Sequence, residues 1–371
     1  MNIQSLAASS TACFGNGLDS DVVISSRVRL ARNVAEYPFV SRLSVADSKR
    51  LVDELTPVIA EILGADSGSF RMNELKETER QMLIERHLIS KNFGMSTLTH
   101  SAACIAADES ACVMINEEDH LRIQTIAPGL DLQTPLARCQ EIDRFLEKKV
   151  VYAFDDKLGY LTACPSNLGT GMRASVMMHL PALTLTKQME KVRHAMDKSA
   201  LVVRGLFGEG EPADGDYFQI SNQVTLGYSE EALVGLLMQM VPHIVDYERQ
   251  ARKYLLKENR ESITDRANRA LEILRNTQSI KTAETLALLS NVRLGVCMGV
   301  VEGVERSVLD MLFLRVQPAH LQLMEGSQLD ASDRDLLRAK YLRRALKYRV
   351  VSCEIRFALL AGFERVSPFT L

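Results

Sequence analysis

Residues 164–173 read Cys164-Pro165-Ser166-Asn167-Leu168-Gly169-Thr170-Gly171-Met172-Arg173 and join a thiol, a glycine-rich turn and an arginine. The two glycines permit backbone geometry that brings amide groups close to a ligand. The following residues, from Thr170 to His179, predict the start of a helix, where negative charge is favoured. The stretch therefore indicates an anion site, although an ordinary strand-to-helix turn would also explain it.

The bulk composition excludes several classes of protein. The 371 residues are 25% charged with a formal net charge of -3, which is typical of a soluble globular protein and gives no reason to expect direct binding of nucleic acid. Seven cysteines include no CxxC pair, which argues against a zinc ribbon and a complete disulfide framework. With no apolar stretch approaching about 20 residues, we expect a cytoplasmic protein without a membrane partner.

The pattern along the chain changes near residue 229. Residues 22–220 mix short β-like runs with helical ones, whereas the region that follows has apolar residues at helical spacing. We place the boundary at residue 257, so that a mixed α and β domain spans 1–257 and a helical domain spans 258–371. Residues 208–216 are rich in glycine and acids, which predicts a flexible loop that could serve as a lid.

An arginine pair follows the apolar run at residues 22–24 in the segment Ser25-Ser26-Arg27-Val28-Arg29. Strand alternation places Arg27 and Arg29 on one face, where two guanidinium groups would suit a phosphate. A solvated strand face with surface salt bridges is the alternative.

A second charged block, Asn116-Glu117-Glu118-Asp119-His120-Leu121-Arg122, lies between two apolar runs. One carboxylate could accept a proton or hold a guanidinium, and Arg122 could bind phosphate. We take Glu118 as the candidate base, with a charged β-turn as the alternative. Arg173 and Arg204 add two more cations at strand ends or in glycine-rich settings.

These blocks, in this order, resemble the signature segments of the phosphagen (guanidino) kinases. The chain lacks room for the helical N-terminal domain of that family and has a long helical C-terminal part, which makes it most similar to the bacterial protein-arginine kinases. The resemblance implies an α+β fold, with a glutamine-synthetase-like antiparallel sheet flanked by helices and a helical C-terminal domain. It also implies ATP and Mg²⁺ as cofactors, without a dedicated protein site for the metal.

The resemblance assigns roles to individual residues. Glu118 would be the base, Cys164 would help to orient the acceptor, and Arg122, Arg173 and Arg204 would stabilise the transferred phosphate. The nucleotide would contact Ser25, Ser26, Arg27, Val28, Arg29, His87, Arg122, Arg173, Ala174, Ser175, Val176, Met177, Arg204, Gly205, Leu206, Phe207, Gly208 and Glu209. Without the resemblance, His87 would be an ordinary core or surface histidine.

A further block, Arg334-Asp335-Leu336-Leu337-Arg338-Ala339, resembles the RDxxRA motif of protein-arginine kinases. The resemblance implies a phosphoarginine pocket formed by Arg334, Asp335, Arg338 and Ala339. Residues four apart share a helix face, so the two arginines could act together. A basic surface helix is the alternative.

The function that the resemblance implies is transfer of the γ-phosphoryl group of ATP to arginine side chains of proteins, as a mark for a Clp-type protease and for control of stress repressors. Partners would be proteins with exposed arginines, an activator protein, the protease and a second copy of the chain in a homodimer. Two alternatives are an inactive phosphoarginine-binding adaptor and a kinase of a free guanidino compound.

Overall fold

The computed structural model describes residues 1–9, 11–96, 100–205 and 214–347. The chain divides into two compact units, Met1–Glu258 and Asn259–Leu371. The boundary that we placed at residue 257 lies next to this division.

The first unit is built on strands of an antiparallel sheet and a separate small hairpin. The sheet strands are β1 (Val23–Arg32), β2 (Gly68–Arg71), β3 (Ala102–Ile105), β4 (Ala111–Ile115), β5 (Leu121–Pro128), β8 (Met172–His179), β9 (Leu201–Gly205) and β10 (Tyr217–Asn222), and the hairpin strands are β6 (Phe154–Asp155) and β7 (Gly159–Tyr160). In the described part of the chain the sheet has the order β2-β3-β4-β5-β1-β8-β10-β9.

Helices cover one face of this sheet. The helices of the first unit are α1 (Ile3–Ala8), α2 (Val45–Leu63), α3 (Glu77–Glu85), α4 (Lys91–Gly94), α5 (Gln133–Glu147), α6 (Pro181–Leu185), α7 (Met189–Asp197) and α8 (Glu230–Glu258). Of these, α2 packs on β3 and β4, α5 on β1 and β5, and α8 on β8 and β10. Val28 and Leu30 of β1 are fully buried beneath these helices. The other face of the central strands is left for polar side chains.

The prediction of a helix start after Thr170 is wrong, because Met172–His179 forms strand β8 between β1 and β10. Its alternate residues Met172, Ala174, Val176 and Met178 have no exposed surface. This period of two is the pattern of a strand with one face in a core. The predicted anion site at a helix start is therefore absent from this segment.

The predicted loop at 208–216 lies mostly outside the described residues, which resume at position 214 with a short 3-10 turn over Asp214–Asp216. The predicted fold class is confirmed, since an antiparallel sheet flanked by helices precedes a helical C-terminal region.

The second unit is helical. Its described helices are α9 (Arg260–Asn276), α10 (Thr282–Cys297), α11 (Arg306–Arg315), α12 (Pro318–Glu325) and α13 (Ala331–Leu346). A buried ion pair joins α10 to α11, with Arg293 Nε 2.7 Å from Asp310 Oδ1. Among the described helices, none combines the length and the apolar character that crossing a bilayer requires.

Candidate active site

A cavity of about 740 Å³ opens on the face of the sheet opposite α2, α5 and α8, and residues of α3 and α4 contribute to its wall. This volume is within the range of small-molecule sites. The cavity brings together many of the residues that the sequence analysis selected from distant segments. Those that line it are Arg27, Arg29, His87, Glu118, Arg122, Cys164, Arg173 and Arg204.

Strand register explains why the arginines meet. Arg27 and Arg29 alternate along β1, so both side chains leave the same face. Arg29 lies directly across from Arg173 of β8 on one side and from Gln124 of β5 on the other. Like charges that face each other across strands destabilise a sheet. This arrangement therefore indicates a site for an anion.

The guanidinium of Arg29 lacks a partner at one buried atom, because Nε makes no hydrogen bond with the described residues. Burial and the charges of Arg27, Arg122 and Arg173 lower the pKa of Arg29 well below its usual range. Burial, together with Arg122 and Arg173, also lowers the pKa of Arg27 to about 10. Phosphate oxygens would supply both the missing acceptor and the missing negative charge.

Glu117 lies in the turn between β4 and β5, and its carboxylate holds the guanidinium of Arg122 on β5. Its Oε2 lies 2.8 Å from Arg122 Nη1, and its Oε1 accepts a hydrogen bond of 2.6 Å from Ser90 Oγ. Burial opposes its ionisation, but Arg122 and the hydrogen bond from Ser90 lower the pKa of its carboxyl. The sequence left open which acid would hold a guanidinium, and the structure places Glu117 in that position.

Asp119 fastens this turn to the segment that contains Cys164. Its Oδ1 accepts hydrogen bonds from Asn33 Nδ2 at 2.6 Å and from the backbone nitrogen of Ala163 at 2.7 Å. Asn33 in turn accepts from the backbone nitrogen of His120 at 2.9 Å. The turn and the thiol segment are therefore fixed relative to each other.

Glu118 differs from its two acidic neighbours. It is exposed and lines the cavity, and its carboxylate accepts no hydrogen bond from the described residues. Burial by the cavity walls, followed by the charges of Glu117 and Asp119, raises the pKa of Glu118, although Arg122 and Arg173 oppose the shift. An unengaged carboxylate with a raised pKa is suited to accepting a proton from a ligand.

Cys164 is half-buried in the cavity wall, with Sγ 3.0 Å from Ser166 Oγ. The two glycines after it lie close to other backbone segments, and Gly171 also lines the cavity. Gly169 and Gly171 have φ values of 99° and 63°, and a Cβ would lie 2.7 Å from the backbone of Leu226 or 2.6 Å from that of Ala31. They permit close contact with the protein's own backbone.

Comparison with known proteins now identifies the family. Residues 56–251 match the model described as ATP:guanido phosphotransferase, C-terminal catalytic domain, and residues 260–354 match the Protein-arginine kinase McsB C-terminal domain. A protein named Protein-arginine kinase from Symbiobacterium thermophilum is 44% identical over 336 residues, which cover 90% of this chain and 95% of that protein. This chain belongs to the protein-arginine kinase family. The Bacillus pumilus protein of that name is 42% identical over 334 residues, covering 89% and 92% of the two chains.

Solved structures of guanidino kinases share the fold with this member of the protein-arginine kinase family. The duplicated taurocyamine kinase from Schistosoma mansoni has a TM-score of 0.58 and 26% identity, over 66% of this chain and 35% of that one. Lombricine kinase has a TM-score of 0.52 and 24% identity, over 66% and 70% of the two chains.

Several residues predicted to contact the nucleotide do not line the cavity of this protein-arginine kinase family member. Val28, Ala174 and Val176 are fully buried on the helix-covered face, because they alternate with the arginines. The Ser26 hydroxyl donates to the carbonyl of Gly129 at 2.8 Å. The cavity lining also lacks the buried residues Ser25, Ser175 and Met177. It lacks Gly205 of β9 as well. The predicted contacts Leu206, Phe207, Gly208 and Glu209 lie outside the described residues.

Sequence reasoning missed other residues of the cavity wall. Ser90 gave no signal, since a single serine after α3 has no distinctive spacing. Gln219 lies across from Arg204 on β10, a position that only the strand order reveals. Gln124 lies behind the wall, and its position opposite Arg29 follows from the same register.

The RDxxRA block lies on α13, where its residues have different surroundings. Arg338 is buried, and it donates to the carbonyls of Val316 at 2.8 Å and Ile280 at 2.7 Å and pairs with Asp335. Ala339 is also buried. Arg334 is partly exposed and donates to the carbonyl of Leu329 at 3.1 Å. Binding of phosphoarginine by this block stays a prediction.

The conformation of Gly171 gives a prediction for stability. Gly171→Ala should lower the free energy of unfolding by about 1–3 kcal/mol, since the new Cβ would clash with the Ala31 carbonyl and φ is positive. Urea denaturation checks this. Gly235→Ala is the matched control, because its Cβ would meet nothing within 4 Å. Equal stability of the two variants would contradict the assigned role.

Proposed function

We propose that the chain transfers the γ-phosphoryl group of ATP to arginine side chains of proteins and forms Nω-phosphoarginine. One observation supports this above the others. A single cavity joins Glu118, whose carboxylate is unengaged, to the buried and partnerless Nε of Arg29. The first is suited to an acceptor guanidinium, and the second to a nucleotide phosphate. The relatives' name, protein-arginine kinase, agrees with transfer to arginine.

The acceptor sets the chemical problem. A guanidinium has a pKa above about 12, so its nitrogen must lose a proton as it attacks phosphorus. The carboxylate of Glu118 takes that proton while a P–N bond forms and the bond from the γ-phosphorus to the bridging oxygen breaks. ADP leaves with the electron pair of the broken bond. The same carboxylate orients the guanidinium by charge-assisted hydrogen bonds, which lowers the entropic cost of attack.

The arginines stabilise the phosphate charge in this scheme. Phosphoryl transfer depends mainly on positioning and on electrostatic stabilisation of the phosphate oxygens. Arg27 and Arg29 contribute from β1, and Arg122, Arg173 and Arg204 contribute from the strands around it.

The described residues fit a Mg²⁺ ion that is bound mainly through the phosphates of the nucleotide. They contain no group of three or more His, Cys, Asp or Glu side chains that could hold a metal ion. Mg²⁺ usually keeps waters and takes its ligands from nucleotide phosphates. Glu117, whose carboxyl has a lowered pKa, would accept hydrogen bonds from such waters, and the bound ion would neutralise phosphate charge.

The raised pKa of Glu118 predicts a pH dependence. A base must be ionised, so kcat/KM should fall as pH decreases through a value above the ordinary 4.5 of a glutamate. A profile of kcat/KM against pH measures this limb. Because Arg122 and Arg173 oppose the shift, an Arg173→Met variant should move the limb to higher pH. A limb at or below pH 4.5, or one that Arg173→Met does not move, would contradict the assignment.

A comparison of acceptors tests the proposed substrate. The protein should be incubated with Mg-ATP and either casein or free arginine, with any required activator present, and acid-labile phosphate should be measured. We expect phosphoarginine on casein. Transfer to free arginine alone would indicate a kinase of small guanidino compounds, and phosphoarginine binding without turnover would indicate an adaptor.

The wider role is part of the same proposal. Phosphoarginine would mark proteins for a Clp-type protease and would control stress repressors, with an activator protein as a partner. A cytoplasmic homodimer is the expected form of the enzyme.

A further inference from the structure

His87 lines the cavity with a backbone conformation that side-chain-bearing residues rarely adopt. Its φ is 58°, in the left-handed region, directly after α3 and its C-cap residue Arg86. Such conformations persist only where the surrounding structure holds them, and they are concentrated at functional sites. The contacts around His87 show what fixes its backbone beside the cavity.

The preceding residue is anchored below the cavity. Arg86 is buried, and its guanidinium meets Glu109 with Nη2 2.6 Å from Oε1 and Nε 2.9 Å from Oε2. Ser9 Oγ donates to the same carboxylate at 3.0 Å. This anchor fixes the chain on one side of His87.

Gln124 holds the chain on the other side. Its Nε2 donates to the carbonyl of His87 at 2.8 Å and to that of Leu88 at 3.3 Å. The glutamine is buried on β5 and lies directly across from Arg29. One amide thus connects the backbone of His87 to the strand pair that presents Arg29.

We propose that Gln124 is a positioning residue for the nucleotide. Its amide holds the His87 backbone so that the imidazole contacts ATP at a fixed distance from Arg29, which binds the phosphates. Gln124 itself touches neither the nucleotide nor the reacting atoms. The inference rests on the proposed function, because it takes His87 and Arg29 as parts of one ATP site.

The test is a set of variants studied by calorimetry with Mg-ATP. Gln124→Met keeps the side-chain volume and removes the donor of both hydrogen bonds, and it should weaken Mg-ATP binding about tenfold, the scale of a net hydrogen-bond contribution. KM for ATP should rise equally, while kcat and KM for the protein acceptor stay within about twofold. In a His87→Ala background the Gln124→Met change should add nothing, because the two residues act through one contact. Calorimetry needs no turnover, so the test is independent of whether arginine transfer occurs.

Gln322→Met is the matched control, since Gln322 is a buried glutamine of the helical unit that donates to the carbonyl of Pro318 at 3.1 Å. It should leave Mg-ATP binding unchanged. Unaltered binding by Gln124→Met, or an equal further loss in the His87→Ala background, would overturn the proposal. If Gln124→Met does not fold, Gln124→Asn should still weaken binding severalfold, and wild-type affinity in that variant would be equally decisive against it.

Discussion

Replacing Glu118 with glutamine should reduce phosphoryl transfer to a protein arginine by about 10²–10⁴-fold, the usual contribution of a general base. Glutamine keeps the shape and the hydrogen-bonding capacity of the side chain but cannot accept the proton. Glu118 is exposed and its carboxylate accepts no hydrogen bond from the described residues, so the fold should not change. Initial rates with casein and Mg-ATP, and Mg-ATP binding by calorimetry, measure the two effects separately.

The matched control for this variant is Glu36→Gln, which changes an exposed glutamate outside the cavity lining. Its transfer rate should equal that of the wild type. If Glu118→Gln kept more than about a tenth of the wild-type rate, a general-base role of the usual size would be contradicted. Loss of Mg-ATP binding in the same variant would place Glu118 in the nucleotide site instead.

Arg29→Met should have opposite effects on stability and on activity. Arg29 is a half-buried cation that faces Arg173, and its buried Nε has no hydrogen-bond partner among the described residues, so its removal should stabilise the nucleotide-free protein by about 1–3 kcal/mol. The same change removes a phosphate ligand and should lower kcat/KM by about 10²–10³-fold. Urea denaturation with and without Mg-ATP, together with transfer assays, measures both effects. In the wild type, Mg-ATP should raise the free energy of unfolding more than in the variant.

Arg71→Met provides the comparison for a solvent-accessible arginine. Arg71 lies on β2 and pairs with Asp53, with 34% of its side chain exposed. Because exposed pairs contribute about 0–1 kcal/mol, this variant should lose a little stability and no activity. A destabilised Arg29→Met protein that still binds Mg-ATP normally would show that Arg29 supports the fold and not the nucleotide.

Local patterns predicted the parts of the site that depend on strand alternation. Arg27 and Arg29 were assigned to one face from their spacing alone, and both line the cavity. The same alternation along β8 makes Ala174 and Val176 point away from the cavity. The glycines at 169 and 171 instead favoured a helix start, because positive φ values serve loop packing and ligand binding equally well.

Other features depend on long-range contacts that a single sequence does not contain. Glu117 and Glu118 are adjacent acids, and only their distances to Arg122 and Ser90 separate the holder of a guanidinium from the free carboxylate. Helical spacing places Arg334 and Arg338 on one face but does not say that Arg338 points into the helical core. The order of the strands in the sheet likewise determines which arginines meet.

The most direct test of this account is a crystal structure with Mg-ADP, nitrate and an arginine-containing peptide, in which nitrate takes the place of the transferred phosphoryl group. We predict that the peptide guanidinium lies within hydrogen-bond distance of the Glu118 carboxylate. Nitrate should lie between it and the ADP phosphates, with Arg29, Arg122 and Arg173 within hydrogen-bond distance of nitrate or phosphate oxygens. A complex with the nucleotide phosphates outside this cavity, or with the guanidinium away from Glu118, would contradict the account.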